Sequence, residues 1–273
     1  MNVRRLAVAL AAALALHVPG MTPSPSFTLL SANVGNLDAL TGGPCADWPA
    51  RGALCVAADE DEAAASLKAR SPDVIALFEV LPTDGDASAR RLLGAGYTMV
   101  CDGIGGYDCL GLNRERFEVI TVATPPQPAA CAGKADFAAV FSVDVLWDGV
   151  PLRFVVAHPY QAFTDEEDLC REAQLQQTFV ELPLGDTVIV GDLNMDPDRM
   201  WWFFASPEVW HANVGRGRPF RTLDDGMILP DPTWLGALTL DHVLVRGLAG
   251  GCTTLPPLAD RMDHRARWCS ILR

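Results

Sequence analysis

TVIVGDLNMDP, residues 187–197, begins with an apolar stretch typical of a buried strand and then changes abruptly to polar residues and a proline. Functional side chains often follow the ends of such strands. Asp192 and Asn194 lie two residues apart, so they project on the same side of an extended chain. A carboxylate and an amide can therefore converge on one ligand. Gly-Asp-x-Asn is also a good turn sequence, and this segment alone leaves that alternative open.

Two more apolar strand patterns end in a single polar residue. DVIALFEV, residues 73–80, contains Glu79 near its end, and FTLLSAN, residues 27–33, ends in Asn33. A carboxylate in such a position is costly unless it is paired or binds a cation. Magnesium is usually held by one or two protein carboxylates together with water and phosphate oxygens. We therefore predict that Glu79 binds Mg²⁺; Asn33 in isolation indicates nothing.

Histidines and aspartates supply candidates for acid–base chemistry. His158 ends another apolar run, His264 follows Asp263 near the C-terminus, and Asp241 lies within a last apolar run. An imidazole polarised by a carboxylate is the usual general acid or base near neutral pH, although a lone histidine is more often structural. His242 should point to the face opposite Asp241, where it is expected to pack or to reach the surface.

The order of apolar runs predicts an α/β protein. Strands first alternate with helices, and several strands without crossover helices follow, which favours hairpins and mixed sheets. Two packed sheets flanked by helices, an α/β sandwich, suit a single domain of this length. The predicted strands cover residues 27–32, 73–78, 97–100, 109–112, 117–121, 138–146, 152–157, 187–190 and 239–245, and the predicted helices cover residues 59–69, 87–93 and 165–182.

The N-terminal segment has the features of an export signal. Two arginines precede an apolar run, Leu6 to Leu16, that is short for a bilayer span. A retained membrane anchor is the alternative, because no clean cleavage site follows Leu16. The protein is therefore expected to be secreted, to the extracellular space or the periplasm. The predicted organisation is a signal peptide over residues 1–20, a short leader over 21–26 and a single domain over 27–273.

Eight cysteines follow this signal. An even count and an oxidising destination favour disulfides, and no C-x-x-C spacing supports a structural zinc site. Proximity in sequence suggests three pairs among about 105 possible connectivities. These pairs are Cys45 with Cys55, Cys101 with Cys109, and Cys252 with Cys269.

The formal charge of −13 opposes long-range attraction to a polyanion. A nucleic acid would have to be bound through local basic patches and a metal ion. Two groups of arginines could form such patches, or could be solvated loops: Arg216, Arg218 and Arg221, and Arg261, Arg265 and Arg267. The aromatic cluster of residues 201–204 could stack on a substrate, make transient membrane contact through Trp201 and Trp202, or belong to the core.

The ordered set of polar residues resembles the endonuclease/exonuclease/phosphatase family, whose fold is that of deoxyribonuclease I. The resemblance implies an α/β (α+β type) four-layer sandwich of two mixed β-sheets flanked by helices. It also implies a catalytic domain that hydrolyses phosphoester bonds with Mg²⁺, or alternatively Mn²⁺. Eight positions carry the resemblance from residue 27 to the C-terminus: Asn33, Glu79, His158 in VVAHPYQAF, Asp192 and Asn194 in VIVGDLNMDP, Asp241 in LDHVLV, and Asp263 and His264 in RMDHRARWCSIL.

The resemblance implies a metal and water site formed by four of these residues. Glu79 would bind the metal, and Asn33 would orient the metal and the phosphate. Asp192 would position or deprotonate the attacking water. Asn194 would stabilise the charge that develops on the phosphoryl group.

The remaining four residues would act on the phosphate through histidines. His264, tethered by Asp263, would contact the scissile phosphate or activate water. His158 would bind the phosphate or protonate the leaving group. Asp241 would orient a histidine or bind a second metal.

Two departures from the family pattern concern the metal count and the substrate. Many relatives carry a further acid shortly after the first Asn, where this chain has Val34-Gly35-Asn36, so a two-metal arrangement is not supported. Residues 107–114 replace a typical Arg-containing strand, so the substrate does not transfer by analogy.

Three functions remain open. An extracellular nuclease is preferred because export and disulfides fit a degradative enzyme. A sphingomyelinase-like or inositol-phosphate phosphoesterase is the alternative, with a phospholipid or inositol phosphate as substrate in place of nucleic acid. A non-catalytic binding module is the third. Nothing in the sequence indicates an oligomer, so a monomer is expected.

Overall fold

In a computed structural model of the chain, two six-stranded β-sheets pack face to face with helices on their outer faces. The structure describes residues 25–35, 57–80, 90–102, 108–134, 140–198, 206–223, 232–234, 237–259 and 262–273. Several predictions fall outside these residues: the signal peptide, residues 21–24 of the leader, the Cys45–Cys55 pair, residues 87–89 of one helix, Arg261, and the cluster that contains Trp201 and Trp202.

The first sheet pairs strands from both ends of the chain. Its strands are β1 (Ser26–Asn33), β2 (Val74–Phe78), β3 (Tyr97–Cys101), β4 (Cys109–Asn113), β11 (Ala249–Thr254) and β12 (Arg267–Leu272). The strand order is β11-β12-β1-β2-β4-β3. β1 and β2 are parallel, and the other neighbours are antiparallel.

The second sheet is built in the same way from the middle of the chain. Its strands are β5 (Phe117–Ala123), β6 (Val140–Trp147), β7 (Val150–Ala157), β8 (Thr187–Asp192), β9 (Arg221–Thr222) and β10 (Asp241–Arg246). The strand order is β5-β6-β7-β8-β10-β9, and only β7 and β8 are parallel. Each sheet is therefore mixed, as the runs of hairpin-like strands predicted.

The α-helices of the described residues are α1 (Ala57–Arg70), α2 (Asp165–Gln176) and α3 (Ser206–Asn213). A 3₁₀ turn (Ala129–Cys131) precedes β6, and residues 90–93 are also helical. Thr164 and Glu167 form a capping box at the start of α2, which satisfies otherwise unpaired backbone N–H groups. No helix of the described residues is long and apolar enough to cross a bilayer.

Three apolar clusters separate four layers. Alternate side chains of β1 divide between two of them: Phe27 and Leu29 face the other sheet, whereas Leu30 and Ala32 face α1. The third cluster lies between the second sheet and helices α2 and α3. Strands that are buried on both faces read as continuous apolar runs. The predicted four-layer α/β sandwich is thereby confirmed.

The structure shifts some predicted boundaries. β10 begins at Asp241 and not at Thr239, because the N–H groups of Leu240 and Asp241 donate to the Thr233 hydroxyl. The helix predicted to reach Leu182 is α-helical only to Gln176 and continues as a π-helical turn.

Three disulfides are formed by the described cysteines. Cys101–Cys109 and Cys252–Cys269 join facing residues of antiparallel strand pairs, as their proximity in sequence suggested. The third, Cys131–Cys170, ties the 3₁₀ turn before β6 to α2. Because its two cysteines lie 39 residues apart in sequence, proximity along the chain did not suggest this pair.

A buried ion pair fixes α2 against the loop that follows β8. The guanidinium of Arg171 is fully buried and donates to Asp168, to the Ser206 hydroxyl and to the Asn194 carbonyl. Burial alone would raise the pKa of Asp168, but hydrogen bonds from Ser206 and Arg171 outweigh it and lower that pKa. The ionised pair therefore contributes stability above the ordinary carboxyl pKa, and this contribution is lost as the pH falls through the lowered value.

We expect Asp168→Asn to lower the free energy of unfolding by about 3 kcal/mol at neutral pH, because it removes the carboxylate charge that faces the buried Arg171 guanidinium. The difference from the wild-type chain should shrink as the pH falls below about 4, where Asp168 becomes protonated in the unfolded chain, and should be lost as the pH falls through the lowered pKa of the folded state. Urea unfolding at several pH values measures both effects. Glu166→Gln, at an exposed site on the same helix, is the control and should cost less than about 1 kcal/mol. A pH-independent difference would contradict the assignment.

Candidate active site

The parallel pairs β1–β2 and β7–β8 bring polar residues to one edge of the sandwich. Asn33 ends β1, Glu79 follows β2 and Asp192 ends β8. The Asn33 amide donates to Glu79 Oε1 and to Asp192 Oδ2, both at 2.9 Å. One buried amide thus joins a carboxylate of the first sheet to a carboxylate of the second.

The backbone conformation around Glu79 brings its carboxylate to the Asn33 amide. Glu79 has a φ of 58°, a conformation that non-glycine residues seldom adopt and that is concentrated at functional sites. A Cβ on Gly35 would collide with the Glu79 carboxylate and crowd the Asn33 amide oxygen. Burial raises the pKa of Glu79, although His158 and Asn33 act in the opposite direction. Ionisation of the Glu79 carboxyl group in this position therefore needs a nearby positive charge.

His158 is held by Asp108, a residue that the sequence analysis did not select. Asp108 precedes β4 and is fully buried; its Oδ1 lies 3.1 Å from His158 Nδ1 and also accepts from the Glu79 N–H at 3.3 Å. His158 Nε2 lies 3.8 Å from Glu79 Oε1. The Asp108 carboxylate thereby places the proton on Nδ1 and turns Nε2 towards Glu79.

A second His–Asp pair forms across the opposite side of Asp192. His264 Nδ1 lies 2.7 Å from Asp241 Oδ2, and His264 Nε2 lies 3.7 Å from Asp192 Oδ2. The expectation that Asp263 tethers His264 is wrong: Asp263 Oδ1 lies 4.0 Å from Nε2, and its Oδ2 accepts from the Trp234 indole at 3.1 Å. The tether is Asp241, in line with the orienting role that the resemblance implied.

Asp192 lies between the two pairs and is fixed by backbone and side-chain donors. Its Oδ1 accepts from the Asn194 N–H at 2.8 Å, while Oδ2 accepts from Asn33. Asn194, with a φ of 48°, donates its side-chain amide to the Pro159 carbonyl at 2.9 Å. Asn194 therefore connects the loop after β8 to the loop that carries His158.

Electrostatic coupling between these groups favours charged histidines. Burial alone would lower both histidine pKa values, but Asp108, Asp192 and Glu79 raise the pKa of His158 to about 10. Asp241, Asp192 and Asp263 likewise raise the pKa of His264 to about 10. Burial by itself would raise the pKa of Asp192, yet the two histidine charges and the donors outweigh it and lower that pKa.

The residues present fit a divalent cation. Two groups place one ligand atom per residue within 4.8 Å of one another: Glu79, His158 and Asp192, and Asp192, Asp241 and His264. Asp108 Oδ2 and Asp241 Oδ1 are buried without a hydrogen-bond partner among the described residues. Carboxylate and amide oxygens are the hard ligands that Mg²⁺, Mn²⁺ and Ca²⁺ prefer. Unsatisfied buried carboxylate oxygens are expensive unless a cation compensates them.

The structure brings seven of the eight sequence-selected residues into this cluster: Asn33, Glu79, His158, Asp192, Asn194, Asp241 and His264. Asp263 lies at its margin, half-buried against Trp234. His242 takes the packing role, since it is buried, lies against Trp210 and places a ring nitrogen 3.0 Å from the Met195 carbonyl. Asp108 was missed because the sequence analysis considered polar residues at the ends of strands, and Asp108 precedes its strand. Its position as an acidic residue directly before the apolar stretch Cys109–Leu112 could have indicated it.

A sequence model described as the Endonuclease/Exonuclease/phosphatase family matches residues 30–270. The chain belongs to the endonuclease/exonuclease/phosphatase family. This confirms the resemblance read from the strand-end motifs. The chain is a hydrolase of phosphoester bonds in a family that depends on divalent metal ions. No curated protein matches the sequence significantly.

Solved structures of this family share the fold at low sequence identity. D. rerio TDP2 complexed with a single strand DNA product has a TM-score of 0.64 at 15% identity, over 91% of this chain and 99% of that one. The human Nocturnin catalytic domain with bound sulfate gives 0.63 at 17%, over 90% and 93%. ANGEL2, a 2′,3′-cyclic phosphatase in complex with adenosine-2′,3′-vanadate, gives 0.61 at 13%, over 91% and 96%.

The two aspartates near His264 make a direct test of the site geometry. We expect Asp241→Asn to lower kcat for a chromogenic phosphodiester by about 10²–10³-fold, because it removes the carboxylate that orients and charges His264. Asp263→Asn should cost much less. Asp198→Asn, at an exposed carboxylate after the GDLN segment, is the control and should retain wild-type kcat. A larger loss for Asp263→Asn than for Asp241→Asn would show that the tether is misassigned.

Proposed function

We propose that the protein is a secreted, Mg²⁺-dependent phosphodiesterase whose substrate is nucleic acid, an extracellular nuclease. The observation that carries this proposal is the convergence of two His–Asp pairs on Asp192, with Glu79 and Asn33 beside it. Mg²⁺ is preferred over softer metals because the donors include several carboxylates and no described cysteine is free. Mn²⁺ is expected to substitute.

Metal binding falls to residues on the Glu79 side of the cluster. Glu79 would hold the ion, and Asn33 would keep the carboxylates of Glu79 and Asp192 in position through its two hydrogen bonds. The bound ion would neutralise charge on the phosphoryl oxygens and lower the pKa of a water molecule bound to it. Single-ion binding is preferred, because Gly35 and not an acid follows in the loop after Asn33.

The two histidines act on opposite oxygens of the phosphate in this mechanism. His264, charged and held by Asp241, binds a non-bridging oxygen. Asp192 accepts a hydrogen bond from the attacking water and orients it towards phosphorus. As the new P–O bond forms and the ester P–O bond breaks, His158 donates its Nε2 proton to the leaving oxygen, and the proton lost by water passes to Asp192. Asp108 keeps His158 aligned for that transfer.

Nucleic acid is preferred as substrate for two reasons. A TDP2 neighbour is described with single-strand DNA product and the ANGEL2 neighbour with an adenosine-2′,3′-vanadate, so nucleotide phosphates suit this fold. Secretion and disulfides, three of which are formed by the described cysteines, suit a degradative enzyme. A monomer is expected.

A lipid phosphoesterase is the second candidate, and an exposed apolar side chain in the segment that follows His158 favours it. Phe163, five residues after His158, is 74% exposed, and Leu169 on the following helix is 56% exposed. Side chains of this kind can enter a lipid surface. The net charge of −13 also suits a neutral headgroup better than a polyanion.

Hydrolysis of plasmid DNA, RNA, sphingomyelin vesicles, an inositol phosphate and a chromogenic phosphodiester tests the proposal. We expect turnover of nucleic acid with Mg²⁺ and none with EDTA, because Glu79 and Asp192 need a cation to bind phosphate. His264→Ala should lower turnover by at least a hundredfold. The exposed His211→Ala is the matched control and should behave as wild type.

The same panel separates the candidates. Nucleic acid cleavage should fall with added salt, because phosphate contacts release counterions. Preferred cleavage of sphingomyelin, reduced by Phe163→Ala, would favour the lipid enzyme instead. Metal-independent turnover would contradict the proposed mechanism, and a folded chain with no activity on any substrate would favour the binding module.

A further inference from the structure

Four arginines gather at the end of the second sheet opposite the active site. A cavity of about 400 Å³ lies between the loop from α3 to β9 and the turn from β10 to β11. Arg216, Arg218, Arg221 and Arg246 line it. β10 begins at Asp241 in the active site and ends at Arg246 in this arginine pocket. A six-residue strand therefore separates the two sites by roughly 17 Å.

The loop that presents two of these arginines is closed by its own backbone. The Gly215 N–H donates to the Phe220 carbonyl at 2.9 Å, and the Arg218 N–H donates to the Gly215 carbonyl at 3.1 Å. Gly217, between the two arginines, has a φ of 78°, which strongly favours glycine. The Gly-Arg-Gly-Arg segment is therefore a formed turn that carries two arginines of the pocket, one on each side of Gly217.

The other two arginines are anchored in the wall. Arg246 stacks over the buried Phe220 ring at 5.3 Å and donates to the Gly185 carbonyl at 3.0 Å. Arg221 donates to the Leu248 carbonyl. A guanidinium fixed in this way keeps further N–H donors for a ligand, since it carries five.

The uncompensated positive charge of the pocket includes the two arginines of the turn. Within the described parts of the chain, no carboxylate pairs with Arg216 or Arg218, and both side chains are exposed. Asp186, beside Gly247 at the edge of the pocket, pairs with Arg273 at 3.0 Å and also acts electrostatically on Arg246. The arginine pocket is therefore a local positive patch on a protein whose net charge is −13.

We propose that the arginine pocket binds a phosphate or pyrophosphate group of a small molecule, independently of the active site. Guanidinium groups match phosphate oxygens in paired hydrogen bonds, and several arginines together suit a multiply charged anion. A cavity of this size falls within the range of small-ligand sites. A nucleic acid strand is less suited, because the net charge of −13 opposes long-range attraction of a polyanion.

Calorimetric titration of the full chain with inorganic pyrophosphate in EDTA tests this proposal. We expect binding that weakens at least tenfold in the double variant Arg216→Gln/Arg218→Gln. Arg70→Gln/Arg114→Gln removes the same charge from two exposed positions elsewhere and should bind within twofold of wild type. Gly217→Val keeps every charge but strains the turn, so it should also weaken binding.

Hydrolysis by the double variant tests whether the arginine pocket is independent of the active site. The double variant should hydrolyse a chromogenic phosphodiester with kcat and KM within twofold of wild type. Absent pyrophosphate binding, equal binding by the double variant, full binding by Gly217→Val, or a parallel loss of hydrolysis would each overturn the proposal. Oligonucleotide or anionic vesicle binding that depends on the two arginines, without pyrophosphate binding, would replace it with a polymer or membrane site.

Discussion

The interaction on which the site depends is the pair of hydrogen bonds from the Asn33 amide to Glu79 and Asp192. These bonds hold carboxylates of two different sheets together in a buried place, where their repulsion needs compensation. His158 and His264 supply part of it, which is why both histidines hold their protons far above their ordinary pKa. A divalent cation is the remaining partner that this arrangement calls for.

The fold supplies the geometry through two parallel strand pairs in otherwise antiparallel sheets. β1–β2 and β7–β8 send their C-terminal ends to one edge, and β4, β10 and β12 begin there. Functional residues therefore lie just after or just before apolar strands. Since one edge carries the chemistry, the opposite edge is free to carry another function, and the arginine pocket lies there.

The apolar strands could be predicted from the sequence because both faces of each central strand are buried, so Val188 to Val190 and Val74 to Phe78 read as unbroken runs. The motifs at their ends then gave most of the site. Pairings between distant residues could not be read in this way. Asp263 adjoins His264, yet Asp241, 23 residues away in sequence, holds it, because the register of strands from two sheets decides the contact. Asp108 and the Cys131–Cys170 bridge were missed for the same reason.

Binding of Mn²⁺ in the absence of substrate, followed by electron paramagnetic resonance, shows whether the carboxylate cluster around Asn33 holds a divalent cation. Mn²⁺ reports the carboxylate site without requiring knowledge of the substrate. We expect saturable binding at neutral pH that Mg²⁺ displaces and that Glu79→Gln abolishes, while the exposed Glu118→Gln leaves it unchanged. Absence of Mn²⁺ binding by the folded chain, or binding that survives Glu79→Gln, would show that Glu79 does not hold a divalent cation.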